Sequence, residues 1–594
     1  MDRQFKAFIK DSALFNHIES ETLDEVVDLF QYQRLLRGDT LFKKGDSGDA
    51  FYILLSGRLQ VIDDKPVAEL STGESFGELA LINDSPRAAT IKALRDSELG
   101  RLDKNHFEQI LKNHAEVAVE IIKVMGGWLG SGPRFARKHS SSVVTVVELD
   151  EQRLSVQWLP SLTSELQKVG SAHYICEQTL DNQFCNDDDE VSAGSFREER
   201  FARWLSEQEE HYRTIILHCT ARRSRWRDFC LRQADRVLYL ADPLTPCERL
   251  KLKSPPDRVP EQVHELVLLH PRGAARPQNT RSWLSQISLS RHHHMRMGNN
   301  QDLHRMCREL NLCTKAVVLG GGGARSFAQI GVLKAMETLG IGIDRIGGTS
   351  MGAIIGAQYA DGYTPDEILE INIDTWERNK PHKAFTLPIS SLLTAGRSKR
   401  LIQNVFGERD IEDLWMNFFC ISSDLTQLQS RCHETGKIWW SLLASGAIPG
   451  ICSSIISDDG SLLVDGGLID NLPVGVMNEM HEGTIIAVDV ASDSGLSPNW
   501  QHTIPPNGLR ALWHQVNPFS KAKPHPHIFK LFTHTLTLAS KINSETSRQL
   551  ADLCITLDCQ DHGLMQMESL ASLMTKGYDT AMPVLEAWQK DQEE

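Results

Sequence analysis

The second half of the chain is organised around the stretch Ile343-Asp344-Arg345-Ile346-Gly347-Gly348-Thr349-Ser350-Met351-Gly352-Ala353-Ile354-Ile355-Gly356-Ala357. A strand pattern runs into the motif G-x-S-x-G at residues 348–352, and a helical pattern follows it. Glycines on both sides of Ser350 permit a tight strand-to-helix turn that exposes the serine hydroxyl. The stretch predicts an α/β unit. Because G-x-S-x-G is common by chance, the motif alone leaves both a structural turn and a nucleophilic serine open.

Two further segments favour the nucleophile. Gly320-Gly321-Gly322-Gly323-Ala324-Arg325 follows an apolar strand and opens a helix, so backbone N–H groups converge where an oxyanion would develop. The segment lacks the lysine and the glycine spacing of nucleotide-binding loops. Downstream, Asp465 precedes two glycines at a strand end, where its carboxylate could accept the proton of a serine hydroxyl.

The order of these three segments resembles that of the patatin-like phospholipases. That resemblance implies an α/β hydrolase fold and a Ser-Asp dyad without histidine, with Ser350 as nucleophile and Asp465 as base. It also implies an oxyanion loop of Gly321, Gly322 and Gly323 that is steadied by Arg325. Ser326 departs from the pattern, since the family usually has glycine after the arginine.

A wider resemblance covers nearly the whole chain. Trp204-Leu205-Ser206-Glu207-Gln208-Glu209, Arg232-Gln233-Ala234-Asp235 and Val516-Asn517-Pro518-Phe519 are similar to segments of the neuropathy target esterase family of lysophospholipases. That family joins cyclic-nucleotide-binding-like domains to a patatin-like esterase domain. The resemblance implies a lysophospholipid or phospholipid substrate, transient contact with a membrane or micelle surface, no required cofactor and no metal.

Residues 37–102 carry short strand patterns separated by glycines, which predict a small antiparallel barrel. Residues 76–81 and 86–90 resemble the phosphate-binding cassette of cyclic-nucleotide-binding domains. There Arg87 would pair with the cyclic phosphate and Glu78 would accept the ribose 2′-hydroxyl. The expected binding set is Gly77, Glu78, Leu79, Arg87 and Ala88. Ala88 stands where cGMP-preferring relatives tend to have a hydroxyl residue, so the resemblance implies cAMP as the allosteric ligand. A barrel that binds nothing stays open as the alternative.

The predicted fold class is therefore multidomain α/β. We expect a cyclic-nucleotide-binding-like β-roll at 1–135, a middle parallel α/β (Rossmann-like) domain at 136–300, a patatin-like domain at 311–490 and a largely helical extension of the hydrolase at 491–594. The middle segment alternates strand and helix patterns but has no phosphate-binding motif, so we assign it no chemistry. We read His292-His293-His294 as part of a solvated linker.

Composition and charge restrict the partners and the cellular location that we expect. The chain has 63 lysines and arginines against 78 aspartates and glutamates, and its net charge of −15 argues against a nucleic-acid partner. There is no run of about 18 apolar residues and no secretory signal pattern, so we expect a cytoplasmic protein, at most peripheral to a membrane, without a transmembrane segment. The 12 scattered cysteines predict reduced thiols.

Two alternatives remain at this stage. One is a cyclic-nucleotide-sensing scaffold with an inactive hydrolase domain. The other is a Ser-Asp-His triad in which His481 follows Asp465 in the chain. A role for His481 at a helix end is the simpler interpretation.

Overall fold

The computed structural model describes residues 9–10, 20–114, 119, 142–149, 155–179, 195–222, 224–245, 247, 262–286, 289–379, 391–481, 483–490, 538–559, 561–563, 566–567 and 569–593. The chain divides into two compact units. The first comprises residues 1–269 and 284–292, and the second comprises 270–283 and 293–594. The Val516–Phe519 segment lies outside the described residues.

The first unit begins with the expected β-roll. Its strands form two four-stranded antiparallel sheets, of order β1-β8-β3-β6 and β2-β7-β4-β5. Phe51, Ile53 and Leu55 pack on one side of β3 and Tyr52 and Leu54 on the other, so both faces of this strand are buried. The elements are α1 Ser20–Val27, β1 Gln31–Leu35, β2 Thr40–Phe42, β3 Ala50–Ser56, β4 Leu59–Asp63, β5 Lys65–Leu70, β6 Ser75–Phe76, α2 Glu78–Ile82, β7 Thr90–Ala93, β8 Ser97–Asp103 and α3 Lys104–Asn113.

The middle segment forms the predicted parallel α/β sheet. Five of its strands run in the order β10-β11-β9-β12-β13, and each adjacent pair is parallel. Its strands are nearly continuous runs of apolar residues because helices alternate with them and cover the sheet. The elements are β9 Ser142–Glu148, α4 Ser155–Val169, β10 Ala172–Cys176, α5 Ser195–His211, β11 Thr214–Thr220, α6 Arg225–Gln233, β12 Arg236–Ala241, β13 Val263–His270, α7 Thr280–Gln286 and β14 Arg291–Arg296.

A buried charge network joins the β-roll to this α/β sheet within the first unit. Arg95, whose side chain is 2% exposed, donates to Asp235 and Glu209, and Arg58 reaches the same two carboxylates. Asp235 also accepts the N–H of Val143 at the start of β9. Burial alone would raise the pKa of Asp235, but the two arginines outweigh it and hold that pKa below its usual value. The segments 204–209 and 232–235 therefore supply a structural interface.

The second unit contains a sheet of order β19-β20-β17-β16-β15-β21-β22, with β18 also paired to β17. Strands β15, β16, β17, β21 and β22 are parallel, whereas β18, β19 and β20 are antiparallel additions. Val317 and Leu319 of β15 belong to one buried core, and Ala316 and Val318 belong to the core on the other face. The central strand is therefore apolar throughout because helices cover both faces.

The remaining elements of the second unit are α8 Asn300–Leu310, β15 Thr314–Leu319, α9 Ala328–Thr338, β16 Arg345–Thr349, α10 Met351–Ala360, α11 Pro365–Asn372, α12 Ala395–Phe406, β17 Asn417–Asp424, β18 Gln429–His433, α13 Ile438–Ser445, β19 Ile455–Ile456, β20 Leu462–Asp465, α14 Val474–Met480, β21 Gly483–Asp489, α15 Leu538–Leu550, β22 Leu553–Thr556 and α16 Leu570–Glu593. In its described part, the C-terminal extension is largely helical, as expected, and it also adds β22 to the edge of the sheet.

The histidine tract was misread from the sequence. Residues 291–296 form a strand, and His294 is 2% exposed. Its ring contacts the ring of His270 at 2.9 Å and the carbonyl oxygen of Glu412 at 2.9 Å. The consecutive residues His293, His294 and Met295 are all buried, so the tract is part of the packed structure rather than solvated.

Among the described residues, no helix combines the length and the apolarity needed to cross a membrane.

Substituting Asp235 tests the charge network. In Asp235→Asn, Arg95 stays buried with only part of its counter-charge, which should cost about 3 kcal/mol of local stability. We expect amide hydrogen exchange in peptides covering residues 94–98 and 142–149 to accelerate about a hundredfold. The exposed Asp228 of α6 provides the control, since Asp228→Asn should leave exchange in these peptides nearly unchanged. Equal exchange rates in the two variants would contradict a stabilising network.

Candidate active site

Ser350 lies in the strained turn that its sequence context predicts. It follows β16 and precedes α10, and its backbone has φ of 55° and ψ of −123°, a conformation that non-glycine residues rarely adopt. The neighbouring glycines allow close backbone contacts. A Cβ atom at Gly348 would lie 2.6 Å from the carbonyl oxygen of Leu319, and one at Gly352 would lie 2.5 Å from the same oxygen. Larger residues at 348 or 352 would force this turn away from β15.

Pairing along β17 brings Asp465 to Ser350. Strand β16 pairs with β17 as far as Thr349 opposite Ile421, and β20 pairs with the next residue of β17, with Asp465 opposite Ser422. The end of β20 is thus placed at the end of β16. As a result, the Ser350 hydroxyl donates to Asp465 Oδ2 at 2.6 Å, although 115 residues separate the two in sequence.

The environment of Asp465 suits a proton acceptor. Asp465 is 7% exposed, and its Oδ1 accepts a hydrogen bond from the N–H of Gly467 at 2.8 Å. Burial raises the pKa of Asp465 to about 6, and the hydrogen bonds from Ser350 and Gly467 limit the rise. A carboxylate with this pKa is ionised near neutral pH yet is more basic than an exposed aspartate.

The glycine loop packs directly on the serine turn. A Cβ atom at Gly321 would lie 2.7 Å from Asn471 Oδ1 and 3.2 Å from the Cβ of Ser350, so a larger residue there would displace the Asn471 side chain and crowd Ser350. Gly322 packs against Val490, and Gly323 lines a cavity beside Ser350. The structure therefore brings the three predicted loop glycines to the serine.

Arg325 follows the loop glycines, but its side chain contacts the C-terminal extension. Its Nε donates to the carbonyl oxygen of His562 at 2.7 Å, in the C-terminal extension. Burial lowers the pKa of this guanidinium, which is half-buried. The side chain thus holds the loop to the extension, and no contact between it and Ser350 or Asp465 is found in the described structure.

Two residues that sequence reasoning did not single out hold the site together. The N–H of Ser350 donates to Ser445 Oγ at 2.8 Å, which fixes the serine turn to the end of α13. The Asn471 side chain donates to the carbonyl oxygen of Gly321 at 2.9 Å, and its Oδ1 lies beside Gly467. Asn471 therefore connects the glycine loop to the turn after Asp465. Asn471 follows Asp465 by six residues and Ser445 ends α13, but the local sequence around each gives no sign of these partners.

A cavity of about 100 Å³ opens at Ser350. Apolar side chains dominate its wall, and Ser350 is among the few polar residues that face it. Its lining includes Met351, Ile354, Trp376, Leu393, Ile402, Leu442, Leu443, Ile448, Ile455 and Met567. Such a wall suits a hydrocarbon chain that extends from the serine.

His481 lies away from the serine. Its Nε2 is 3.0 Å from the position of a Cβ at Gly483, which pairs with Thr314 at the start of β15. Ser350 follows the other end of the parallel strand β16, so about five strand residues, or about 16 Å, separate the two edges. His481 ends α14, in agreement with the simpler interpretation, and the triad receives no geometric support.

The predicted nucleotide site in the first unit centres on Arg87, which is 2% exposed. Its guanidinium donates to Asp49 at 3.0 Å and to the carbonyl oxygens of Ala50 and Gly77 at 2.8 and 3.0 Å. It also lies 4.1 Å from the centre of the Phe42 ring. The Arg87 Nε, however, is buried without a hydrogen-bond partner among the described residues.

Glu78, like Arg87, has a buried side-chain atom without a hydrogen-bond partner in the described structure. It begins α2 after Gly77, is 5% exposed, and its Oε2 is buried without a partner in the described part of the chain. Burial raises the pKa of Glu78, and nearby Arg87 opposes that rise. Leu79 and Ala88 are exposed beside them. The site thus offers one unsatisfied cationic donor and one unsatisfied acidic acceptor.

Comparison with known families matches the three regions separately. Residues 32–114 match the family described as cyclic nucleotide-binding domain, residues 141–319 match the neuropathy target esterase family P-loop like domain, and residues 317–477 match the patatin-like phospholipases. The matched ranges contain Arg87, the 204–209 and 232–235 segments, and both Ser350 and Asp465.

Among curated proteins, patatin-like phospholipase domain-containing protein 6 of Pongo abelii is 30% identical over 547 residues, covering 81% of this chain and 39% of its own length. Neuropathy target esterase sws of Drosophila melanogaster is 30% identical over 560 residues, covering 83% of this chain and 38% of its own. The chain thus spans about two fifths of the length of these relatives.

Among solved structures, the regulatory domain of Toxoplasma gondii PKA co-crystallised with cAMP shares 32% identity over 18% of this chain and 44% of that chain, with a TM-score of 0.17. With matches to the cyclic nucleotide-binding domain, the neuropathy target esterase family P-loop like domain and the patatin-like phospholipases, the chain is similar to the neuropathy target esterase-like proteins in all three regions.

Proposed function

We propose that the protein is a serine esterase that hydrolyses the carboxylic ester bonds of lysophospholipids or phospholipids through a Ser350-Asp465 dyad. The observation that carries this proposal is the 2.6 Å hydrogen bond from the Ser350 hydroxyl to a buried carboxylate at the mouth of an apolar cavity. The patatin-like and neuropathy target esterase names of its relatives support a lipid ester as substrate.

The chemistry follows from this arrangement. Ser350 Oγ attacks the ester carbonyl carbon while its proton passes to Asp465 Oδ2, and the backbone N–H groups of Gly322 and Gly323 stabilise the oxyanion. The N–H of Gly321 is not available for this role, because it donates to the carbonyl oxygen of Asn471 at 3.2 Å. The tetrahedral intermediate then breaks its bond to the leaving alkoxide, which takes the proton from Asp465. Water attacks the acyl-serine and gives its proton to Asp465. Collapse of that intermediate returns a proton to Ser350 Oγ and releases the fatty acid.

The first test compares Ser350→Ala with wild type in fatty-acid release from lysophosphatidylcholine. Loss of the nucleophile should lower kcat by about 10⁴-fold or more. Ser430→Ala, at an exposed position on β18, is the matched control and should retain wild-type turnover. Release by neither wild type nor variant, over several lysolipids and simple esters, would favour the alternative of a scaffold with an inactive hydrolase.

The second test follows the pH dependence of kcat/KM with a water-soluble ester. Asp465 must be ionised to accept the proton, so activity should rise about tenfold per pH unit up to its pKa of about 6 and then level off. Burial also raises the pKa of the neighbouring Asp470 to about 6. Asp470→Asn should therefore keep the inflection, whereas Asp465→Asn should remove most of the activity. Loss of the inflection in Asp470→Asn would reassign the titrating group.

We also propose that the β-roll binds a cyclic nucleotide, with cAMP as the favoured ligand. Buried polar atoms without partners are costly, and the Arg87 Nε and Glu78 Oε2 would both be satisfied by an anionic, hydroxyl-bearing ligand. The cyclic phosphate would accept a hydrogen bond from Arg87, and the ribose 2′-hydroxyl would donate a hydrogen bond to Glu78. Whether the nucleotide also changes esterase activity is tested by measuring lysophosphatidylcholine turnover with and without cAMP.

A third test separates the roles of these two groups by calorimetry. Wild type should bind cAMP more tightly than 2′-deoxy-cAMP, because only cAMP supplies the hydroxyl that Glu78 accepts. In Glu78→Ala, which removes the acceptor, cAMP affinity should fall about tenfold and the preference over the deoxy ligand should largely vanish. Glu108→Ala, on α3, should behave as wild type. An unchanged preference in Glu78→Ala would contradict the assigned contact.

A further inference from the structure

We propose that the tips of the two hairpins beside the active site dock the protein on a zwitterionic lipid surface. The docking patch consists of Leu425, Leu428 and Ile456. This inference rests on the proposed lipid substrate, because an amphiphile is presented to an esterase at a micelle or bilayer surface. It adds the surface through which that substrate is reached.

The patch stands at the same edge of the sheet as Ser350. Strand β17 runs parallel to β16 and continues past the level of Ser350, from Ser422 to Asp424, before it turns. Leu425 is thus about 10 Å beyond the level of Ser422 along β17. The turn that joins β17 to β18 extends outward from the active-site edge.

Strand pairing places the apolar side chains in one row. Ile456 of β19 is directly opposite Leu462 of β20, and the N–H of Leu425 donates to the carbonyl oxygen of Leu462 at 2.9 Å. Directly paired residues of neighbouring strands project to the same face. Ile456, Leu462 and Leu425 therefore share a face, and Leu428 lies in the turn that begins at Leu425.

These side chains are unusually exposed for their type. Leu428 is 81% exposed and Ile456 is 69% exposed, while Leu425 is 37% exposed. Leu428 also has a backbone φ of 57°, where glycine or asparagine is the usual choice. A leucine held in a costly backbone conformation and left in water gains no stability from packing in the described structure.

The hairpin that carries Ile456 also contributes to the wall of the active-site cavity. Ile455, which precedes Ile456 in β19, lines the cavity together with Cys452 and Leu393. Successive strand residues project to opposite faces, so Ile455 faces the cavity and Ile456 faces away from it. Docking of the hairpin tip would therefore bring the cavity, only one residue away, close to the lipid surface.

The charges around the patch favour a zwitterionic surface. Asp458 and Asp459 are exposed in the turn between β19 and β20, and Arg431 of β18 is the base beside them, so the formal charge of these surface groups is negative. Arg431 is already paired with Asp459 at 2.9 Å. An anionic surface would repel this acidic rim, whereas phosphatidylcholine carries no net charge and its choline group is compatible with the carboxylates.

The test is sedimentation with phosphatidylcholine vesicles, using the full chain with Ser350→Ala so that lipid turnover cannot change the surface. Adding Leu428→Ser and Ile456→Ser should lower the vesicle-bound fraction at least about tenfold, since both apolar insertions are lost. Both side chains are largely solvent-exposed, so thermal unfolding should be unchanged. Replacing part of the phosphatidylcholine with phosphatidylserine should weaken binding of the parent chain.

The chain provides a matched control. Leu312 is 50% exposed, has a φ of 54°, and precedes β15 at the edge of the sheet opposite Ser350. Leu312→Ser should leave vesicle binding unchanged. Equal loss in Leu312→Ser and in the double variant, absence of binding by the parent chain, or stronger binding to phosphatidylserine would each overturn the proposal.

A parallel kinetic assay in the active chain separates this proposal from the proposed function. The double variant should hydrolyse a water-soluble ester within about twofold of wild type but should lose turnover of micellar lysophosphatidylcholine. Failure of wild type on both substrates would overturn the esterase, while the sedimentation result would still decide the docking surface. Equal loss on both substrates would show that the double variant damages the active site and would overturn the docking role.

Discussion

The second unit depends on one steric constraint, the close approach of the Ser350 turn to the end of β15. The carbonyl oxygen of Leu319 lies where side chains at Gly348 and Gly352 would have to be, so only glycines let the turn form at this place. This turn holds Ser350 at a φ of 55°. That backbone strain is tolerated because the surrounding sheet and the contact with Ser445 leave the residue no alternative conformation.

The dyad follows from the way two strands share one neighbour. Where β16 stops, β20 takes over the pairing with β17, and a serine after one strand meets the last residue of the other. Because both Asp465 oxygens receive hydrogen bonds, the carboxylate can be buried without being wholly neutralised. In the proposed mechanism, burial supplies the basicity that a histidine would provide in a triad. The same packing thus determines both the position of the Asp465 carboxylate and its affinity for a proton.

Sequence reasoning succeeded where the signal was local. The G-x-S-x-G turn, the glycine loop and the D-G-G turn each encode their backbone in a few adjacent residues, so the domain classes and the positions of Ser350 and Asp465 could be predicted. Asn471 and Ser445 escaped notice because their roles depend on partners 95 to 150 residues away. The histidine tract was misread because polar residues on a buried edge strand resemble a linker when their partners, such as Glu412, are distant in sequence.

The two candidate sites differ in what they lack. In the second unit, the Ser350 hydroxyl and the Asp465 carboxylate form a hydrogen bond with one another. In the β-roll, Arg87 Nε and Glu78 Oε2 are buried without partners in the described structure, and each such atom costs on the order of 1–3 kcal/mol. Arg87 is meanwhile fixed by Asp49, two carbonyl oxygens and the Phe42 ring, so it does not need to reorganise to meet an anion. A ligand that satisfies both atoms would recover that cost as binding free energy, which is the physical reason to regard the β-roll as a binding site and not only as a structural module.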